Sequence, residues 1–224
     1  MKQKFAQKYL FAIEGDTEKY YLEWLAKQIN NTPNATSKCT IPSPQKGKDP
    51  SAIRRYFNNL YKETVYYLID KECYNDEDEF KEFLRKLTPT KREKSIVFQL
   101  GYSNISFELW ILLHKTNFSK PVEKPKDYLK HINKAFNFSF ENLEQYKKET
   151  NFKNLLSKLT LDDVINAIER AYEIQGINKQ ACKQESFCKY EYYKENPSLS
   201  IHEIIDKILK DCGIYQKCYD NNSK

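Results

Sequence analysis

The sequence predicts an α/β fold, a parallel sheet flanked by helices, followed by a mainly helical C-terminal half. Three observations carry that expectation. Residues 9–13, 65–69 and 94–100 contain short apolar or β-branched runs without polar alternation, the pattern of strands covered on both faces. Helical patterns separate these runs, and strands alternating with helices imply a parallel sheet with right-handed crossovers. Beyond residue 118 the strand signals stop. The expected division is an α/β core over residues 1–118 and a helical extension over 119–224 packed on that core.

The first strand, Tyr9-Leu-Phe-Ala-Ile13, runs straight into Glu14-Gly-Asp-Thr-Glu18. Gly15 permits a tight strand-to-helix turn, and Asp16 or Thr17 can cap the helix written by Tyr20, Tyr21, Trp24, Leu25 and Ile29. Ligands of open α/β sheets sit outside the carboxyl ends of the strands, which is where Glu14 falls. Glu18 lies one helical turn on, on a face able to converge with it. Residues 30–36 read as a loop, 38–41 as a short strand, and 42–48 as a basic, turn-rich loop. Asp49 and Pro50 set a helix start, an N-cap aspartate before a proline at the first position, continued by Ile53, Tyr56, Phe57 and Leu60.

The second strand also ends in carboxylates, Asp70 and Glu72 around Lys71. A helix with Phe80, Phe83, Leu84 and Leu87 inward follows. Its acidic first turn suits the helix dipole and receives no catalytic role. In a parallel sheet both sets of strand-end acids face one edge, which helix capping does not account for.

After the third strand, Ser103, Asn104 or Ser106 can cap a helix that is apolar nearly all round and therefore buried. Glu108 sits inside it, and a carboxylate among large apolar neighbours needs a partner, a metal or a shifted pKa. His114 reads as a helix-terminal residue. A short helix follows Pro125 through Tyr128, Leu129 and Ile132, and residues 141–160 are mixed. Leu161, Val164, Ile165, Ile168, Ala171 and Tyr172 form an amphipathic helix led by Thr160 and Asp162. Residues 176–196 read as irregular, and Asn196-Pro197-Ser198 starts a last helix that Cys212 and Gly213 end.

An apolar fraction of 40% with 14% aromatics excludes a disordered chain. No run approaches the roughly 18 apolar residues of a membrane span. The N-terminus carries no secretory h-region, so a cytoplasmic protein is expected. Six cysteines in such a chain are not expected to form a disulfide framework. The six-residue spacing of Cys182/Cys188 and Cys212/Cys218 is wider than structural zinc sites use, so they read as buried or incidental thiols. The net charge of +6 fits a polyanionic partner. Lysines 115, 120, 124, 126, 130 and 134 face only Glu123 and Asp127 along that stretch, and Lys91, Arg92 and Lys94 precede the third strand.

Three blocks, Ile13-Glu-Gly-Asp-Thr-Glu18, Leu68-Ile-Asp-Lys-Glu72 and Ser103-Asn-Ile-Ser-Phe-Glu-Leu-Trp-Ile-Leu-Leu-His114, together resemble the RloB-like family. These are Toprim-type proteins associated with bacterial restriction loci and abortive infection. Weaker matches at Tyr146-Lys147, residues 167–171 and Asn196-Pro197-Ser198 extend the resemblance over most of the chain. It implies a Toprim-like parallel sheet that binds divalent metal at its strand ends. In Toprim enzymes the glutamate after the first strand and an acidic pair after a later strand carry the chemistry, here Glu14 with Asp70 and Glu72. Related OLD-type nucleases add a second glutamate and a Ser-x-Glu as metal ligands, which correspond to Glu18, Ser106 and Glu108. Two positions depart from the pattern: Glu72 replaces the second aspartate of the pair, and Ile105 stands where the family has proline.

Mg²⁺, with Mn²⁺ as a substitute, prefers hard oxygen ligands and keeps several waters. Two such ions about 3.5–4 Å apart can activate water and stabilise the leaving oxygen in phosphodiester cleavage. The expected assignment gives Asp70, Glu72 and Glu108 to one ion and Glu14 with Glu18 to a second, or Glu14 to general-base duty. Lys71 would screen the pair or contact phosphate, and Lys115, Lys120, Lys124 and Lys126 would draw the nucleic-acid backbone. The expected function is a metal-dependent nuclease acting on RNA or DNA in anti-phage defence. The alternatives are a non-cleaving metal- and nucleic-acid-binding module, or a subunit of a defence complex. Defence-system proteins or a second copy of the chain are the expected partners besides nucleic acid, and no membrane is expected.

Overall fold

The computed structural model describes residues 5–57, 62–71, 77–89 and 96–215. In chain order it contains β1 (Ala6–Lys8), β2 (Leu10–Ile13), α1 (Asp16–Asn31), β3 (Lys38–Thr40), β4 (Gln45–Lys46), α2 (Pro50–Tyr56), β5 (Glu63–Asp70), α3 (Glu77–Leu87) and β6 (Ile96–Asn104). There follow α4 (Glu108–Leu113), α5 (Lys126–Phe136), α6 (Leu143–Lys147), α7 (Glu149–Leu156), α8 (Leu161–Ala181), β7 (Gln184–Phe187), β8 (Tyr190–Tyr193), β9 (Ser198–Leu199) and α9 (Ile201–Asp211).

The fold is mixed α/β around a central sheet of order β4-β2-β5-β6-β9. Every junction is parallel except β6–β9. Side chains alternate across β2 and β5, so each strand feeds two cores. Leu10, Ala12, Val65, Tyr67 and Ile69 pack with the apolar stripe of α3 and with Tyr190 and Tyr192. Phe11, Ile13, Tyr66 and Leu68 pack on the other face with residues of α1, α4, α5 and α7 to α9. Burial on both faces explains why these strands carry no polar alternation.

The chain order of the four parallel strands across the sheet reads 2-1-3-4, so the direction of winding reverses between β2 and β5. Crevices of doubly wound sheets open at such a point, beyond the carboxyl ends. Glu14 follows β2 and Asp70 closes β5, one on each side of it.

The structure departs from the sequence expectations at several ends. Gly15 is the N-cap of α1 and no side chain caps it, because Asp16 and Thr17 already lie in the first turn. β6 continues to Asn104, since Ser103 and Asn104 pair with Leu199 and Ser198. Ser103 and Asn104 therefore end a strand instead of capping α4, and α4 has no side-chain N-cap from Ser106 either. The Asn104 amide donates to the carbonyls of Lys194 and Glu195 at 2.9 and 3.0 Å. Residues 176–196 are not irregular: α8 runs to Ala181, and the hairpin β7–β8 follows. The last helix begins at Ile201, because Ser198, expected to help start it, forms β9 with Leu199 against β6. β4 lies inside the stretch read as a basic loop. Gly101 faces α9, where a Cβ would stand 2.7 Å from Ile204 Cδ1 and from Leu68 Cδ2. No helix among the described residues is long and apolar enough to cross a membrane.

Candidate functional site

Glu14 and Asp70 meet directly. The backbone N–H of Asp70 donates to Glu14 Oε2 at 2.6 Å, tying the end of β5 to the residue after β2. Glu14 Oε1 faces Lys48 Nζ at 3.0 Å, and Asp16 pairs with Lys46 at 3.0 Å. Glu18 is buried in the first turn of α1, where Thr17 Oγ1 donates to its Oε2 at 2.9 Å. A Cβ on Gly15 would lie 2.8 Å from that same Oε2, so glycine here leaves room for the carboxylate. Gly15 is extended, and its value is space rather than an unusual backbone angle.

Glu108 heads α4 with no solvent exposure, and Lys147 at the end of α6 approaches its Oε1 to 3.1 Å. The α6 segment thus brings the C-terminal half of the chain to the strand-end acids. A cavity of about 370 Å³ opens here, lined among others by Glu14, Glu18, Asp70, Lys46, Lys48 and Lys147.

Burial sets the electrostatics. It lifts the Glu18 carboxyl to about 7, with the charges of Glu108 and Glu14 adding to the effect against the hydrogen bonds that favour the anion. Asp70 is pushed well above the usual carboxylate range by burial and then by Glu18, Glu108 and Glu14, with Lys147 opposing. Burial also holds the Tyr146 phenol protonated, reinforced by Glu108, Glu18 and Asp70, and its hydroxyl has no hydrogen-bond partner among the described residues. Burial alone would lower Lys147, but Glu108, Asp70 and Glu18 more than offset it, so its ammonium is held. Four acids, Glu14 after β2, Glu18 in α1, Asp70 at the end of β5 and Glu108 in α4, therefore act on one another as a single cluster.

Residues 9–208 match the family model described as RloB-like protein. The chain belongs to the RloB-like protein family. No curated protein and no solved structure matches it. The matched span includes every acid of the cluster and Lys147.

The donor chemistry of this RloB-like protein fits a hard divalent cation. All the converging groups are oxygens, and Glu108 Oε2 and Ser106 Oγ are buried without a hydrogen-bond partner among the described residues. Their present arrangement is not a formed metal centre: among the described residues no three His, Cys, Asp or Glu side chains are grouped to hold an ion. Ammonium groups stand against Glu14 and Glu108 instead. Glu72 lies outside the described residues, as do Lys91, Arg92 and Lys94.

None of the lysines expected to meet nucleic acid lines the acidic cavity. Lys71 lies 3.8 Å from Glu77 and over the rings of Phe80 and Tyr192, and burial lowers its pKa. Lys115 pairs with Asp163 at 2.8 Å. Lys120, Lys124 and Lys126 are exposed on the segment before α5 and at its first residue. The lysines lining the acidic cavity among the described residues are Lys46, Lys48 and Lys147. Sequence reasoning gave none of these three a role. Lys147 entered only as a weak match beside Tyr146, and Lys46 and Lys48 sit in a segment without periodicity. His114 caps α4, with Nδ1–H donating to the Trp110 carbonyl and Nε2 facing the Tyr21 hydroxyl. Burial lowers it to about 4, so it stays neutral. Cys39, Cys182, Cys188 and Cys212 are free thiols.

Proposed function

We propose that this RloB-like protein is a divalent-metal-dependent nuclease with a Toprim-like core, hydrolysing phosphodiester bonds of RNA or DNA in anti-phage defence. The observation that carries the reading is the Asp70 N–H to Glu14 hydrogen bond across the switch point, with buried Glu18 and Glu108 within electrostatic reach. Burial disfavours the ionised forms of the carboxyls that converge on Lys147, and a divalent cation would supply the charge that lets them ionise together. Glu18, Asp70 and Glu108 would hold it, with Glu14, Glu72 and Ser106 as further candidate ligands. Bound there, Mg²⁺ would lower the pKa of a water and offset charge on the phosphoryl oxygens.

The chain's own groups divide the remaining work. Glu14 fixes the end of β5 by accepting from the Asp70 N–H at Oε2 and pairs its Oε1 with Lys48. Thr17 donates to Glu18 Oε2 and orients that carboxyl. Lys147 keeps its proton and presents positive charge toward an entering phosphate. Tyr146 keeps its hydroxyl proton and can donate it as a hydrogen bond. Association with nuclease activity in defence rests on the family resemblance.

A second reading has one observation in its favour. Glu14 and Glu108 are each already matched by a lysine, as expected of a module that binds polyanion without cutting it. Labelled RNA and DNA incubated with Mg²⁺ or Mn²⁺, then with EDTA, separate the two. The nuclease reading expects metal-dependent cleavage that Glu14→Ala and Asp70→Ala both abolish. Cleavage that survives both substitutions sinks it. Absence of cleavage with a metal-raised melting temperature supports the second reading.

A further inference from the structure

Lys46, Gly47 and Lys48 form a short clip fastened to the sheet at three points. Lys46 pairs in register with Ile13 through β4. Gly47 N–H donates to the Ile13 carbonyl at 3.0 Å, and the Tyr67 hydroxyl donates to the Gly47 carbonyl at 2.6 Å. Asp49, next in the chain, accepts from Ser51 N at 3.0 Å and starts α2. The backbone is thereby held on β2 and β5 while both lysine side chains stay more than half exposed. Each reaches an acid of the rim: Lys46 reaches Asp16, and Lys48 reaches the otherwise buried Glu14.

We infer that this clip is the phosphate-docking element of the site, and that Lys46 and Lys48 exchange their carboxylate partners for backbone phosphates when a divalent cation takes the acids. The inference rests on the nucleic-acid reading of the same cavity. Its physical basis is charge balance. Without a cation each lysine is engaged by a carboxylate, so a polyanion must displace that partner. With a cation among the acids, the attraction between Lys48 and Glu14 weakens and the ammonium turns toward phosphate. Metal and polyanion thus favour each other's binding by the same factor. A fastened backbone carrying exposed ammonium groups suits sequence-independent contact, which positions a strand without reading bases.

The test uses the full chain, a fluorescein-labelled phosphorothioate DNA oligonucleotide and Ca²⁺, read by fluorescence anisotropy over a salt series. Each lost phosphate contact should lower the slope of log K against log salt by about 0.7 on a single strand. Lys46→Met/Lys48→Met should therefore lower it by about 1.4, each single variant by about half of that. Ca²⁺ should tighten binding by the wild type and leave the double variant nearly unchanged. An unchanged slope in the double variant overturns the inference. So does a lowered slope in Lys120→Met/Lys124→Met with none at the clip. Ca²⁺ that neither raises the wild-type melting temperature nor tightens binding removes the metal reading and the exchange with it, while the slope still decides whether the clip contacts phosphate.

Discussion

The backbone N–H of Asp70 donates to Glu14 Oε2 at 2.6 Å, joining residues 56 positions apart at one edge of the sheet. Parallel pairing of β2 with β5 puts both carboxyl ends on that edge, and the register Ala12 to Tyr67 leaves the two acids facing across the crevice. Glu14 is thus a brace for the edge as well as a member of the acidic cluster.

These two roles separate on substitution. Glu14→Ala leaves the partly buried Asp70 N–H without its acceptor, at a cost of about 1–3 kcal/mol. Glu14→Gln keeps an acceptor oxygen and removes a charge from a crowded cluster, so its stability should stay close to wild type. Under the nuclease reading both variants lose cleavage. Urea denaturation beside a cleavage assay checks this, and equal stability loss in the two variants would mean the hydrogen bond is not what braces the edge.

The pH dependence of the metal-free protein follows from Glu18. Its folded pKa of about 7 lies above its ordinary value of 4.5, so the native state binds more protons than the unfolded chain between those limits. Stability is therefore highest below about pH 4.5 as far as this group is concerned, and falls as pH rises through 7, by on the order of 3 kcal/mol. Asp70, also raised, acts in the same direction. His114 acts oppositely, since its folded value of about 4 removes stability as pH drops below its ordinary 6.5. Glu18→Gln should flatten the fall above pH 5 and exceed wild type in stability at pH 8 in EDTA. Chemical denaturation at pH 5.5 and 8 distinguishes this from a Glu18 that titrates normally, for which Gln would bring no gain.

The legible parts of the fold were local. The apolar runs of β2 and β5, the Asp49-Pro50 start of α2 and the Thr160 cap of α8 each rest on a few neighbouring residues, and the structure shows them. Ser103 and Asn104 misled because their partner strand, Ser198–Leu199, is remote in sequence and only two residues long. The hairpin of β7 and β8 hid for a similar reason: its tyrosines answer to the sheet face that they cover, not to a local period. Within the site, Glu14, Glu18, Asp70 and Glu108 stood out because carboxylates beside apolar runs are conspicuous. Lys48 and Lys147 did not, because an exposed-looking lysine has no marker until a distant acid is placed against it.

Gly15 offers a test of geometry that leaves every ligand in place. Alanine is compatible with its extended backbone, but the added Cβ would press on Glu18 Oε2 at 2.8 Å. Gly15→Ala should keep the fold and reduce the Mg²⁺-induced rise in melting temperature. An unaltered metal response would show that Glu18 can move aside without loss, and would take it out of the metal set.

The pairing of Lys147 with Glu108 decides how the site tolerates its buried charge. Glu108 is fully buried, and its ion partner Lys147 has a side chain 41% exposed. Removing the cation in Lys147→Met leaves a buried carboxylate facing Asp70 and Glu18, which should destabilise by about 1–3 kcal/mol, less than a wholly buried pair because solvent screens Lys147. Glu108→Gln removes a repelling charge and should cost little. In the double variant Lys147→Met/Glu108→Gln most of the Lys147 loss should return, a coupling that a double-mutant cycle in urea measures directly. Mg²⁺ adds a second axis. Lys147→Met should regain stability on adding Mg²⁺ because the ion replaces the missing cation, whereas the double variant, having lost an acid, should regain less. Additive effects in the cycle, or equal rescue of both variants by Mg²⁺, would mean that Lys147 and any bound cation do not answer to the same carboxylate.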